Sequence, residues 1–351
     1  MTFQEYSVST RNLIEENLKQ FLQIQKEEIP LPLQKQGIVN SLEEFVLKGK
    51  LIRGTLFLLT VELLGQKITE DHIHIACAIE LIHSSLLIQD DIIDNDYVRR
   101  GGKTMFAFYE EKGKSLGATE AKHYGISIAM MVADVSFYLA MELISKIEIQ
   151  SVGKLISYLS QEIKTVALAE GIDSEFGQTP EEATIDEIYA VYKYKTARYT
   201  FSLPFVLACI VSQKDDSIKK EFEELGEHIG TIFQIKDDLI GILGDENVIG
   251  KPVGSDIREN KKTLIRSLLY EKVDDSERKI LIGAFGNRDL TVDQLSGIRD
   301  LIIKYKIVEL LDKEIENIMV NAWRIFNNME GEKHHKEILK NLLEFNLRRT
   351  A

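Results

Sequence analysis

Residues 71–94 read DHIHIACAIELIHSSLLIQDDIID. Ile75, Ile79, Ile82 and Leu86 recur at spacings of four, three and four, which is one apolar face of an α-helix. Asp71 stands where its N-cap is expected. The run ends in carboxylates. Asp90 and Asp94 are four apart and share a face, with Asp91 turned away by about 100°. His83, seven before Asp90, lies on nearly the same stripe two turns down. A long helix that carries acidic groups out of an apolar run is the first expectation.

The rest of the chain agrees with it. Of 351 residues only five are proline (Pro30, Pro32, Pro180, Pro204 and Pro252), and none lies between Pro32 and Pro180. That suits long uninterrupted helices. VGKLISYLSQEIKTVALAEG is a second amphipathic helix, expected to end near Gly171. Strict alternation is scarce, and no Asn-Gly or Asp-Gly turn separates two β-like runs. The fold class is therefore all-α, and with no linker, repeat or low-complexity stretch the expectation is one large domain over 1–351. With 43 Lys and Arg against 56 Asp and Glu, the net charge is −13. This argues against sequence-independent nucleic-acid binding and against a polybasic membrane surface. Cys77 and Cys209 sit in apolar runs and read as buried thiols. No basic n-region or apolar h-region opens the chain. The best membrane-span candidate, Tyr124–Met141, carries Asp134 at its middle and reads better as a buried helix of a soluble core. A cytoplasmic protein without membrane insertion is expected.

Asp-Asp occurs four times, and context separates the four. Asp215-Asp216 and Asp274-Asp275 lie in polar surroundings, where aspartate caps helices or decorates turns. Asp90-Asp91 in LLIQDDIID and Asp237-Asp238 in IFQIKDDLIG lie in apolar company. Adjacent carboxylates there need a cation, because each raises the other's pKa and resists burial. Gln234 and Asp238 are four apart. Oxygen ligands from two helices suit Mg²⁺, which completes its shell with water and substrate phosphate. The competing reading of either cluster alone is a buried ion pair with Lys or Arg from a neighbouring helix. Basic residues offer phosphate partners: Lys50 and Arg53 in GKLIRG, Arg99-Arg100 just after the first cluster, Lys195 beside Thr196 in YKYKTARYTF, and Lys251 in GKPVGSD.

In this order the motifs resemble the trans-isoprenyl diphosphate synthases, the polyprenyl synthetase family. Asp90-Asp91-Ile92-Ile93-Asp94 resembles the first aspartate-rich motif, and Arg99-Arg100 the arginine pair after it. GKLIRG resembles the upstream GKRxRP element with Gly54 in place of proline. His83, Lys195-Thr196 and FQIKDDLIGILGD fall at further family positions, and GKPVGSDIRENKKT resembles the closing loop with Lys251, Asp256 and Lys261 matching. Two departures stand out. Gly241 occupies the place of the third aspartate of the second motif, similar to a DDxxG variant of bacterial geranylgeranyl diphosphate synthases, with Asp245 two turns from Asp237. In the mid-chain GQxxD element Glu170 replaces glutamine, which leaves Glu170 and Asp173 as secondary metal-shell candidates.

The resemblance implies an isoprenoid synthase fold, a helical bundle around a central cavity, a homodimer, and head-to-tail prenyl transfer with two or three Mg²⁺ ions. Asp90, Asp94, Asp237 and Asp238 would hold metal. Lys195, Arg99 and Lys251 would contact the allylic diphosphate, with Lys261 a further substrate contact. Lys50, Arg53, His83 and Arg100 would hold isopentenyl diphosphate. Asp91, Thr196 and Gln234 complete the catalytic set, with Gln234 a dipole beside the allylic cation. Ile82, Ser85 and Leu86, small or aliphatic before Asp90, would set chain length and point to geranylgeranyl, with a farnesyl or longer-chain product as the alternative. A class I terpene cyclase leaves Lys50, Arg53 and His83 unexplained. A non-catalytic regulatory subunit predicts loss of charged ligands, and a purely structural helical protein predicts no Mg²⁺-dependent stabilisation by pyrophosphate.

Overall fold

The computed structural model describes residues 1–244 and 253–348. The chain divides into two compact units, the first from Met1–Leu155, Ala208–Gln213 and Gly331–Leu339, the second from Ile156–Leu207, Lys214–Glu330 and Lys340–Ala351. In the first unit the helices are α1 (Phe3–Glu28), α2 (Leu31–Gln34), α3 (Ile38–Leu47), α4 (Ile52–Leu63), α5 (Glu70–Asp94), α6 (Met105–Ser115) and α7 (Ala121–Ser145). α5 is the helix expected from residues 71–94. Its N-cap is Thr69 rather than Asp71, because Thr69 forms a reciprocal capping box with His72 and leaves Asp71 in the first turn. Ile75, Ile79 and Ile82 are buried and Leu86 is partly so. Asn95, at φ 58°, ends the helix directly after Asp94.

A two-residue hairpin follows that the sequence reading did not anticipate. Val98–Arg99 pairs antiparallel with Gly102–Lys103, in register Val98 to Lys103 and Arg99 to Gly102. The turn residues Arg100 and Gly101 both have positive φ, 53° and 69°, as the hairpin turn matching strand twist demands. Arginine in that conformation gives no signal comparable to Asn-Gly.

α7 packs on α5 and α6 but is not buried all round: Met130, Met131 and Tyr138 are exposed, and so is Asp134. The expected burial therefore holds for one face only, and Asp134 avoids desolvation by lying on the other. Where α7 crosses α6, a Cβ on Gly125 would stand 2.5 Å from the Phe106 carbonyl oxygen and 2.7 Å from the Glu110 nitrogen. Both are backbone atoms, so the helices meet at glycine contact. Cys77 and Cys209 are free and buried, as expected, and burial pushes the Cys77 thiol up.

In the second unit run most of α8 (Val152–Gln178), α9 (Ile185–Val191), a π-helix (Tyr192–Ser202), the start of α10 (Leu203–Val211), α11 (Asp216–Leu243), α12 (Ser255–Arg258), α13 (Leu264–Lys272), α14 (Asp275–Ala284), α15 (Val292–Lys304), α16 (Ile307–Asn328) and the end of α17 (Lys333–Arg348). α8 passes the expected stop at Gly171 by two turns, since an isolated glycine weakens a helix without ending it. Pro204, just past the π-helix, has no N–H to give the carbonyl of residue 200, and the last bond before it, Leu203 N–H to the Arg198 carbonyl, keeps the five-residue spacing as the chain passes into α10.

Gly125→Ala is expected to destabilise the protein. Alanine gains roughly 1 kcal/mol in helix propensity, but the two backbone neighbours must move, at a cost of about 1–3 kcal/mol. A lower urea midpoint with unchanged m-value checks it.

Candidate active site

In the first unit the site grows from the end of α5. Asp91 has no exposure at all. The hairpin turns Arg99 back onto it: Arg99 Nε donates to Asp91 Oδ1 at 2.5 Å and Nη2 to Asp90 Oδ2 at 2.8 Å. Burial pushes the Asp91 carboxyl up to about 7, with Arg99 opposing. Asp91 Oδ2 is buried and accepts no hydrogen bond among the described residues. Thus the ion pair posed against metal binding is present here, made by the same arginine expected to contact substrate.

One turn to two turns lower, Arg53, Arg99 and Arg100 converge on His83. Burial, then the charges of Arg53, Arg100 and Arg99 in that order, drive the imidazole pKa well below its ordinary value. A histidine held neutral among three guanidiniums marks a positive field aimed at an anion. Arg100 lies over the Phe45 ring at 6.0 Å, and its Nη1 is 3.1 Å from where a Gly49 Cβ would stand. Lys50 is exposed, next to Leu51, whose φ of 50° opens α4. Ile82 and Ser85 are buried on α5.

Glu80 was not legible as a site residue. Its Oε1 accepts the Gly54 N–H at 2.7 Å, and burial raises its pKa against the opposing charges of Arg53 and Arg100. This accounts for glycine at 54: proline has no N–H to give, and a Cβ there would lie 3.0 Å from the Ala76 carbonyl.

In the second unit a chain of hydrogen bonds links the π-helix to α11. Thr196 Oγ1 donates to Gln234 Oε1 at 2.7 Å, Gln234 Nε2 donates to Asp238 Oδ1 at 2.7 Å, the Tyr192 hydroxyl donates to Asp238 Oδ2, and the Leu264 N–H donates to the Tyr192 oxygen at 3.1 Å. Both oxygens of Asp238 are thus engaged in a buried position. Burial and the charge of Asp256 push its carboxyl well above the usual range, with Asp237 adding to the shift. Tyr192 is a further residue the sequence reading missed, an aromatic in an aromatic-rich stretch with nothing to single it out. Lys195 sits between two carboxylates of α8, 3.0 Å from Glu170 Oε1 and 2.6 Å from Asp173 Oδ2. The acidic pair reserved as metal-shell candidates therefore grips Lys195.

Lys261 pairs with Glu259 at 3.0 Å. Gly241 is buried on α11, and a Cβ there would lie 3.3 Å from Asp256 Oδ2. The space of the missing third aspartate is bordered by another carboxylate. Lys251 and Asp245 lie outside the described residues.

Residues 35–302 match the polyprenyl synthetase family description, a span that holds every site residue above. The chain belongs to the polyprenyl synthetase family. It is a prenyltransferase, a trans-isoprenyl diphosphate synthase. A geranylgeranyl diphosphate synthase of Saccharolobus solfataricus is 28% identical over 88% of this chain and 89% of its own length. A farnesyl diphosphate synthase of Geobacillus stearothermophilus is 30% identical over 70% of this chain and 83% of its own. Among solved structures, the geranylgeranyl pyrophosphate synthase of Corynebacterium glutamicum, complexed with isoprenyl diphosphate and magnesium, superimposes with a TM-score of 0.90 at 22% identity, covering 99% of this chain and 100% of that one. The isoprenoid synthase fold class is thereby established. Within the polyprenyl synthetases, this chain's glycines at 54 and 241 each have a local reason, a used N–H and a neighbouring carboxylate.

Gly241→Asp, which restores the family pattern, is expected to lower the melting temperature in metal-free buffer. The new carboxylate meets Asp256 at a buried position, and overpacking alone costs about 1–3 kcal/mol; differential scanning fluorimetry in EDTA reads it. His83 makes a second prediction. Its folded pKa lies below the ordinary 6.5, so as pH falls through about 6.5 the unfolded chain takes up a proton that the native site refuses, and stability drops. Glu80, Asp91 and Asp238, with raised values, act in the opposite sense. The His83 contribution is therefore read as the difference between wild type and His83→Gln in denaturation at pH 7.5 and 5.5, with wild type losing more.

Proposed function

We propose that the chain condenses isopentenyl diphosphate head-to-tail with an allylic diphosphate, with Mg²⁺ as cofactor and geranylgeranyl diphosphate as product. The observation that carries this reading is the convergence of Arg53, Arg99 and Arg100 on a neutral His83 beside the acidic end of α5. A terpene cyclase has one diphosphate to bind and no use for such a second anion site.

The donor chemistry fits magnesium. Asp91 Oδ2 is a buried carboxylate oxygen without a hydrogen bond among the described residues, and burial, followed by the charges of Asp256 and Asp237, raises the Asp238 pKa. Asp90 and Asp94 would hold metal in the first unit and Asp237 in the second, two or three ions in all, while Asp238, with both oxygens engaged, would brace Gln234 and Tyr192. Bound magnesium supplies positive charge that stabilises the departing pyrophosphate. Arg53, His83 and Arg100, with Lys50, would fix isopentenyl diphosphate. Lys195, released from Glu170 and Asp173 or shared with them, adds charge toward the allylic diphosphate, and Lys261 and Lys251 belong to the closing segment after α11. Thr196 and Gln234 present their oxygens as dipoles for the allylic cation.

Product length rests on the buried Ile82 and Ser85 with Leu86 beside them; small and aliphatic side chains there leave room for a tail beyond farnesyl. A 28% identical relative named geranylgeranyl diphosphate synthase supports the same reading. The exposed apolar face of α7, with Met130, Met131 and Tyr138, supports a homodimer. A cytoplasmic location is part of the proposal.

Incubation with Mg²⁺, isopentenyl diphosphate and each allylic primer, followed by mass spectrometry, is expected to show a twenty-carbon product as the main species and none in EDTA; no condensation with any primer would defeat the reading. Ser85→Phe is expected to shorten the product by at least one isoprene unit, and an unchanged length would remove Ser85 from the chain-length set.

A further inference from the structure

The π-helix that carries Lys195 and Thr196 is held from both sides by one side chain to which the sequence motifs give no role. Arg198 Nε and Nη2 fork onto Glu162 of α8 at 3.0 and 2.6 Å, Nη2 also reaches Glu223 of α11 at 2.6 Å, and Nη1 reaches Glu227 of α11 at 2.9 Å. Glu162 is 2% exposed. Tyr158 donates to Glu223 at 3.0 Å, and Lys193 pairs with Glu227 at 2.9 Å. Around the same contact α11 approaches without side chains: a Cβ on Gly226 would lie 2.5 Å from Ser202 N, and one on Gly230 2.3 Å from Ala197 Cα.

A π-helix is a rare conformation that persists where its surroundings specify it. α8 holds this one at two places, Glu162 to Arg198 and Glu170 with Asp173 to Lys195. Glu162 and Glu170 are eight residues apart, about 12 Å along the α8 axis. α11 likewise holds it at Glu223 and Glu227 through Arg198, and at Gln234 through Thr196. Of these contacts, Arg198 alone joins both neighbours. Its planar fork meets three carboxylates with four hydrogen bonds in fixed directions, one more than the three N–H groups of a lysine can make.

We propose that Arg198 is a positioning residue for prenyl transfer. It sets the register of the π-helix against α8 and α11, and so the places of Lys195 and Thr196, without itself touching substrate. The proposal rests on the synthase reading above, and its test separates the two. Arg198→Lys keeps the charge and loses the fork; Arg198→Met loses both; Arg198→Met with Glu162→Gln neutralises the most buried of the three stranded carboxylates if the single variant fails to fold. In each, kcat/KM for the allylic diphosphate is expected to fall about a hundredfold, the scale of a one-ångström misplacement. The KM for isopentenyl diphosphate, assigned to the other unit, should stay within about twofold, well under the factor of ten that 1.4 kcal/mol represents. Hydrogen exchange should accelerate in residues 192–202 and not in α5. Wild-type kinetics in Arg198→Lys, unchanged exchange at 192–202, or a parallel rise of both KM values with protection lost throughout would each overturn it. If the wild type makes no prenyl product, the synthase reading falls, and the exchange of 192–202 still decides what Arg198 holds.

Discussion

Carboxylates withdrawn from water have to be met by donors, and in this protein each such meeting place also positions a functional segment. Asp91 is met by Arg99, Glu80 by the Gly54 N–H, Asp238 by Tyr192 and Gln234, and Glu162 by Arg198. An unpaired buried charge is costly enough to select one arrangement of its neighbours. Hence the hairpin folds back on α5, α4 begins where Glu80 can take its first amide, and the π-helix registers against α8 and α11. Burial still raises the Glu80, Asp91 and Asp238 carboxyls against the donors that meet them.

Much of this was legible from sequence because two periodicities reinforce each other. Helical spacing placed Asp90, Asp94 and His83 on one face, and apolar context separated two acidic pairs from their solvated counterparts. The ion partners were not legible. Whether Arg99 addresses Asp90 and Asp91 or a ligand depends on a turn with an arginine at positive φ, which sequence statistics disfavour. Glu80 read as one acidic residue in an apolar face, with no sign that a backbone amide from another helix would meet it. Tyr192 and Arg198 stayed hidden because their partners lie on helices distant in sequence. Asp71 was displaced as cap by Thr69 because a capping box satisfies two amides where a lone aspartate satisfies one.

Departures from the family pattern turn out to be local agreements. Glycine at 54 gives up the rigidity of proline for an amide that Glu80 uses, and glycine at 241 leaves room for Asp256. Glu170, in place of glutamine, adds a negative charge beside Lys195. Each substitution changes charge or hydrogen-bond capacity by one, and each has its counterpart within contact distance.

The hairpin between Val98 and Lys103 has only two residues at its turn, and strand side chains alternate from one to the next. Arg99 is therefore delivered to Asp90 and Asp91 while its neighbour Arg100 lies along Phe45. Two adjacent, chemically identical residues are sorted to different tasks because one ends a strand and the other opens the turn at positive φ. Inserting or deleting a single residue in this loop would change the turn and move both guanidiniums, so the length of a six-residue connection is constrained as tightly as the identity of a buried side chain.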